Sequence, residues 1–187
     1  MIDLKPACGR MIDLLAAVSD DQLTSPTPCA NYTLGALIDH VDEAAVGFAV
    51  LGRKEGGEQP GPDAGADSAT HHGAVGRETV AEHVRVLGEA WDDPAAWYGG
   101  TATAGFELSN EVWGRIALTE MVVHSWDIAR SLDRPVHLPE ETLRVCLDHV
   151  TTFLPNAPVP ELWGPAVAVP PDAPLLDHIV AATGRTP

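Results

Sequence analysis

Apolar residues recur at helical spacing in several long segments of the chain, and polar or Gly/Pro-rich stretches separate those segments. Met11, Leu14, Leu15 and Val18 mark one face of a first helix, which runs into the acidic stretch "SDDQL". The two prolines of "TSPTPCANYT" break that helix, and Thr33 is placed to cap the next. The second helix is predicted over about 34 to 52, with Leu34, Leu37, Ile38, Val41, Ala45 and Phe48 as its inward stripe and His40 in its second turn. Further helices are predicted over about 77 to 97, 110 to 132 and 139 to 154, the last bounded by Pro139 and Pro155.

Between these segments the pattern changes character. Residues 53 to 76 have no periodicity and are rich in Gly, Pro, Asp and Ala, so they read as a flexible surface loop long enough to act as a lid. A glycine-rich bridge, "YGGTATAG", follows the third helix. The tail is extended up to its prolines and then forms a short helix ending at Gly184. No convincing alternating strand and no internal repeat are visible. The expected fold is therefore all-α: a single domain over 1–187, most simply an up-and-down four-helix bundle with accessory helices.

The fourth helix breaks the pattern in an informative way. Its central stretch, "ALTEMVVHSWDIA", is apolar nearly all round, as a central helix must be, yet it carries Glu120 and His124 one turn apart on the same face. Burying both without partners costs several kcal/mol, roughly a whole domain's stability margin. Three arrangements relieve that cost. The pair can be a satisfied core contact, it can hold a divalent metal with a third ligand from a facing helix, or it can serve metal-free acid–base chemistry.

Among the histidines, His40 stands beside the Leu37 and Val41 stripe and is the best third ligand on context, while Asp39, Asp42 and Glu43 are expected to face water. His71 and His72 fall in the loop, His83 reads as a surface position, and His149 and His178 as structural or exposed. Asp127, three residues past His124, either orients an imidazole or pairs with Arg130. Trp126 reads as core packing. Cys29 lies in a proline-rich turn with no basic residue or histidine near it in sequence, which argues against a nucleophile.

Composition narrows the partners. A net charge of -16 with only 11 Lys and Arg excludes the basic surface that a phosphate backbone or an anionic membrane requires. The three cysteines are an odd number without a CxxC pair, and no apolar run reaches membrane-spanning length. A reduced cytoplasm is the expected compartment.

The segments "TPCANYTLGALIDHV", "TEMVVHSWDIARSLDRP" and "GPAVAVPPDAPLLDHIVAATGR" together resemble the actinobacterial metal-binding branch of the DinB-like superfamily, the group related to the N-terminal domain of mycothiol-dependent maleylpyruvate isomerase. Tyr32 stands where that family more often has Trp, and Ser125 where it often has Gly. The resemblance implies a four-helix bundle with a divalent ion, usually zinc, held by His40, Glu120 and His124. Such a set leaves a coordination position open. A low-molecular-weight thiol entering there, mycothiol by the resemblance, would be deprotonated and turned on an electrophilic small molecule, as in a thiol S-transferase or thiol-assisted isomerase. A non-catalytic metal-binding bundle, acting as sensor or partner-binding module, is the alternative, and a ferrous oxygenase site ranks third. The implied partners are a thiol, a small-molecule electrophile and a second copy of the chain in a homodimer.

Overall fold

Among the described residues, six α-helices form where the apolar periodicity places them: α1 (Lys5–Leu15), α2 (Leu34–Arg53), α3 (Arg77–Ala90), α4 (Asn110–Ser131), α5 (Glu140–Phe153) and α6 (Leu175–Ala182). They are seen in a computed structural model that describes residues 1–30, 32–55, 76–103, 105–157 and 163–187, all but the Phe106 side chain. The expected loop over 53–76 lies almost wholly outside the described residues, as do His71 and His72; Arg53 closes α2 and Gly76 caps α3.

Local chemistry sets the helix ends. Thr33 Oγ1 accepts from the Ala36 backbone N–H at 3.3 Å, and Ser109 Oγ accepts from Val112 in the same way at 3.3 Å. α3 stops at Ala90, earlier than the periodicity predicts, because Pro94 forces a break and Asp93 caps a separate 3-10 turn over Pro94–Trp97. The glycine-rich bridge is not irregular. Gly100–Thr103 (β1) pairs antiparallel with Phe106–Ser109 (β2), and Gly105 supplies the positive φ in the connection. Strands of four residues are too short for a periodic signal, even though Phe106 and Leu108 alternate with Glu107 and Ser109 in β2. This hairpin is tied to the bundle by α4: Trp113 Nε1 donates to the Thr101 carbonyl at 3.0 Å, and the Asn110 side chain bridges Thr101 and Ala96.

The bundle consists of α1 to α4. α3 packs on α1 and α2, and so does α4. Chain-consecutive α1 and α2 therefore stand on a diagonal, as do α3 and α4, which differs from the simplest up-and-down order; the long connections 16–33 and 91–109 make those diagonal crossings. α5 and α6 pack together and cover the outer side of α4. With neighbours on both sides, α4 is buried at every residue from Ala117 to Ala129, which explains its all-round apolar sequence.

Two glycine contacts set how closely neighbouring segments approach. A Cβ on Gly114 would come within 2.7 Å of both the Trp91 and Trp97 rings, so α4 approaches this indole pair only with glycine there. Near the end of the chain, Gly184 adopts φ +85, and a Cβ on it would come within 2.6 Å of Gly164 Cα. The two backbone segments thus touch, and their neighbours Trp163 and Arg185 arrive at the same place.

Candidate metal centre

α2 and α4 face each other, and His40 meets Glu120 across that contact. His40 Nε2 lies 3.3 Å from Glu120 Oε2, and His124 Nε2 lies 3.0 Å from the same oxygen. All three ligand-type atoms fall within 4.8 Å of one another. Ligand atoms about 2.0–2.1 Å from a tetrahedral zinc stand roughly 3.3 Å apart. Both separations match the edge of such a coordination polyhedron and also the length of a hydrogen bond, and two imidazoles and one carboxylate are donor types that suit a divalent ion. The His40 and His124 rings meet edge to face, with centroids 4.9 Å apart. Glu120 and His124 are almost fully buried, whereas the His40 side chain keeps 24% of its surface exposed, so the trio opens to solvent on the α2 side.

Behind His124 sits a second layer. Asp127 Oδ2 is 3.0 Å from His124 Nδ1. An ionised carboxylate only accepts, so Nδ1 keeps the proton and Nε2 is turned, with its lone pair when neutral, toward Glu120. Arg185 in turn forks onto Asp127, with Nη2 2.8 Å from Oδ2 and Nε 3.2 Å from Oδ1, while its Nη1 donates to the Thr183 carbonyl at 2.8 Å. Asp127 pairs with His124 and Arg185 rather than with Arg130, whose guanidinium lies over the buried Trp126 ring. The Trp163 ring stacks on His124 at 5.8 Å between centroids, and the Arg185 guanidinium lies over the same indole at 5.0 Å.

The electrostatics follow from this packing. Burial opposes ionisation of Glu120, but hydrogen bonds from His124 and His40 outweigh it and hold the carboxyl well below the usual range. Burial likewise disfavours a charged His124, yet hydrogen bonds to Asp127 and Glu120 prevail and raise the ring to about 9. Asp127 is lowered because its bonds to His124 and Arg185 exceed the burial penalty. Without metal, two carboxylates are thus neutralised by the His124 imidazolium and the Arg185 guanidinium, a balanced set of four charges.

A second group, Cys29 with His124 and Asp127, also has ligand-type atoms within 4.8 Å. Arg185 already supplies the cation there, hydrogen-bonded to Asp127 and close enough to Cys29 to act on its charge, so a metal ion would face a guanidinium. Cys29 therefore does have basic and imidazole neighbours, brought by the fold from far along the chain. Its thiol is nonetheless pushed up by burial, as are Cys8 and Cys146, which reach about 12.

Among the described residues, the remaining histidines stand apart from this centre. His83 Nδ1 lies 2.7 Å from Asp42 Oδ1 across α2 and α3, so neither is simply turned to water. His149 is buried and stacked on Phe153, a structural position, and burial lowers its ring to about 4. Sequence reasoning passed over Arg185 and Trp163. Both lie in a tail without periodicity, and the only local hints were a lone Trp before Gly164 and a lone Arg after Gly184.

Comparison with known proteins matches residues 4–129 to the mycothiol maleylpyruvate isomerase N-terminal domain family. Two proteins from strains of Mycobacterium tuberculosis, both described as uncharacterized, are 30% identical over 182 residues, covering 92% of this chain and 90% of theirs. Crystal structures of the mycothiol-dependent maleylpyruvate isomerase and of a histidine-to-alanine mutant share the fold, with TM-scores of 0.60 and 0.58 at 18% identity. Those alignments cover 79% of this chain and 66% of the isomerase chains, just under two thirds of their length. Among the described residues, no helix is long and apolar enough to cross a membrane.

Proposed function

Because the chain belongs to the mycothiol maleylpyruvate isomerase N-terminal domain family, we propose that it uses a divalent ion, zinc by preference, to activate a low-molecular-weight thiol toward an electrophilic small molecule. The thiol is mycothiol, and the outcome is either an S-conjugate or, after addition and elimination, an isomer. One observation carries this reading: His40 Nε2, Glu120 Oε2 and His124 Nε2 converge at ligand-to-ligand spacing, with the exposed side at His40. When bound, the ion would lower the pKa of a thiol sulfur so that thiolate is available at neutral pH.

The chain's own residues divide the remaining work. His40, Glu120 and His124 would hold the ion, a donor set that leaves room for a further ligand. Asp127 keeps the Nδ1 proton of His124 and so presents Nε2 as the ligand atom. Arg185 neutralises Asp127, which lets a second carboxylate sit beside Glu120 without mutual repulsion. Trp163 covers the His124 ring and limits the access of water to the network. His124 must shed its Nε2 proton before it can ligate, so metal uptake releases a proton.

Protein purified without chelator is expected to contain zinc and to consume mycothiol when a model electrophile is added. His124→Ala should abolish that consumption. Unchanged thiol loss in His124→Ala overturns the reading, and zinc binding without thiol consumption leaves a metal-binding bundle that serves as a sensor or partner-binding module.

A further inference from the structure

Trp163 differs from the other tryptophans. Trp91, Trp97, Trp113 and Trp126 are all buried, whereas Trp163 is only half-buried. It is also the indole in contact with a proposed ligand, stacked on the His124 ring with an interplanar angle of 28°. The Arg185 guanidinium lies over the same ring system.

Both contacts are with groups that bind Asp127: His124 Nδ1 and Arg185 Nη2 reach its Oδ2 at 3.0 and 2.8 Å. Trp163 therefore packs on the His124–Asp127–Arg185 network while the residue itself stays only half-buried beside the metal centre.

Chemistry suggests a use for its exposed surface. A thiolate adds to carbon centres that are electron-poor, and such acceptors are commonly planar and conjugated. Indole is the most electron-rich of the aromatic side chains, and offset stacking of complementary rings stabilises a complex beyond simple area burial. We propose that the exposed surface of Trp163 is the platform on which a planar, electron-poor acceptor stacks next to the metal centre, making Trp163 a specificity-determining residue. The acceptor role rests on the thiol-activation reading above; the stacking surface itself does not.

The test uses the full, zinc-loaded chain and 1,3-dinitrobenzene as a neutral, planar, electron-poor probe without a leaving group. Its dissociation constant is measured by equilibrium dialysis in the unaltered protein, in Trp163→Leu and in Trp163→Phe. Losing the platform should weaken probe binding by about tenfold in Trp163→Leu, and Trp163→Phe should restore it to within about threefold, in keeping with the range of aromatic pair energies. Zinc affinity should stay within about threefold in both variants. With mycothiol as thiol, KM for 1-chloro-2,4-dinitrobenzene should rise several-fold more than KM for iodoacetamide in Trp163→Leu. Should Trp163→Leu fail to fold, oxidative footprinting of the unaltered protein decides the matter: the probe should protect Trp163.

Equal probe affinity in all three proteins, no protection of Trp163, or zinc affinity falling together with probe affinity would overturn the platform. The last result would make Trp163 a scaffold for His124 alone. Absence of thiol turnover with intact probe binding would instead defeat the thiol-activation reading and leave the platform standing.

Discussion

Arg185 Nη2 lies 2.8 Å from Asp127 Oδ2, joining the end of the chain to the helix that carries Glu120 and His124. Both side chains are buried, so removing one partner strands a charge. Arg185→Met is expected to destabilise the fold by about 3–5 kcal/mol. Arg185→Lys keeps the charge but loses the fork, and should lower zinc affinity by roughly 10–100-fold through the Asp127–His124 link while retaining most of the stability. Urea unfolding and zinc titration of the two variants check both statements.

The pH dependence of the metal-free protein has a definite sign on each side of neutrality. The folded His124 ring is raised to about 9 from an ordinary 6.5, so its contribution to stability is complete below pH 6.5 and is lost as pH rises toward 9. His149 is lowered to about 4, so its contribution is complete above pH 6.5 and is lost as pH falls toward 4. Glu120 and Asp127, both held low, add further loss once pH falls below the ordinary carboxylate range. Urea unfolding in the presence of chelator should therefore show maximal stability near pH 6.5. Added zinc should stabilise increasingly as pH rises from 6.5 to 9, because the proton on His124 competes with it. A metal-free profile that climbs steadily to pH 9 would contradict the His124 assignment.

Gly184→Ala should injure both the fold and the site. Its φ of +85 is strained for alanine, and the added Cβ would strike Gly164 Cα. The two displaced segments carry Arg185 and Trp163. A loss of about 2–4 kcal/mol, combining strain and overpacking, together with weaker zinc binding is the expected outcome in thermal unfolding and metal titration.

Gly114→Ala serves as the contrasting case. Its Cβ would collide with the Trp91 and Trp97 rings, and a loss of roughly 1–3 kcal/mol is expected from overpacking. Glu120 and His124 lie further along α4, so zinc affinity per folded molecule should be unchanged.

How far the sequence reached can be seen residue by residue. The helices were legible because each buries one stripe or, in α4, its whole circumference, and 3.6-residue periodicity encodes that directly. Glu120 and His124 stood out because polar groups inside an apolar helix are costly and so demand an explanation. His40 could be proposed from context and resemblance, but its approach to Glu120 depends on how α2 packs against α4, which no local pattern records. The hairpin, the diagonal arrangement of α1 and α2, and the contacts of Arg185 and Trp163 all depend on contacts between segments far apart in the chain. The Gly184–Gly164 contact that places those two residues looks, in sequence, like any pair of loop glycines.

The most direct test of the central claim is a zinc titration of chelator-stripped protein at pH 7.5, read by equilibrium dialysis and elemental analysis. One zinc per chain is predicted, with affinity falling at least about 100-fold in each of His40→Ala, Glu120→Gln and His124→Ala. Stoichiometry and affinity unchanged in these three variants would contradict the account.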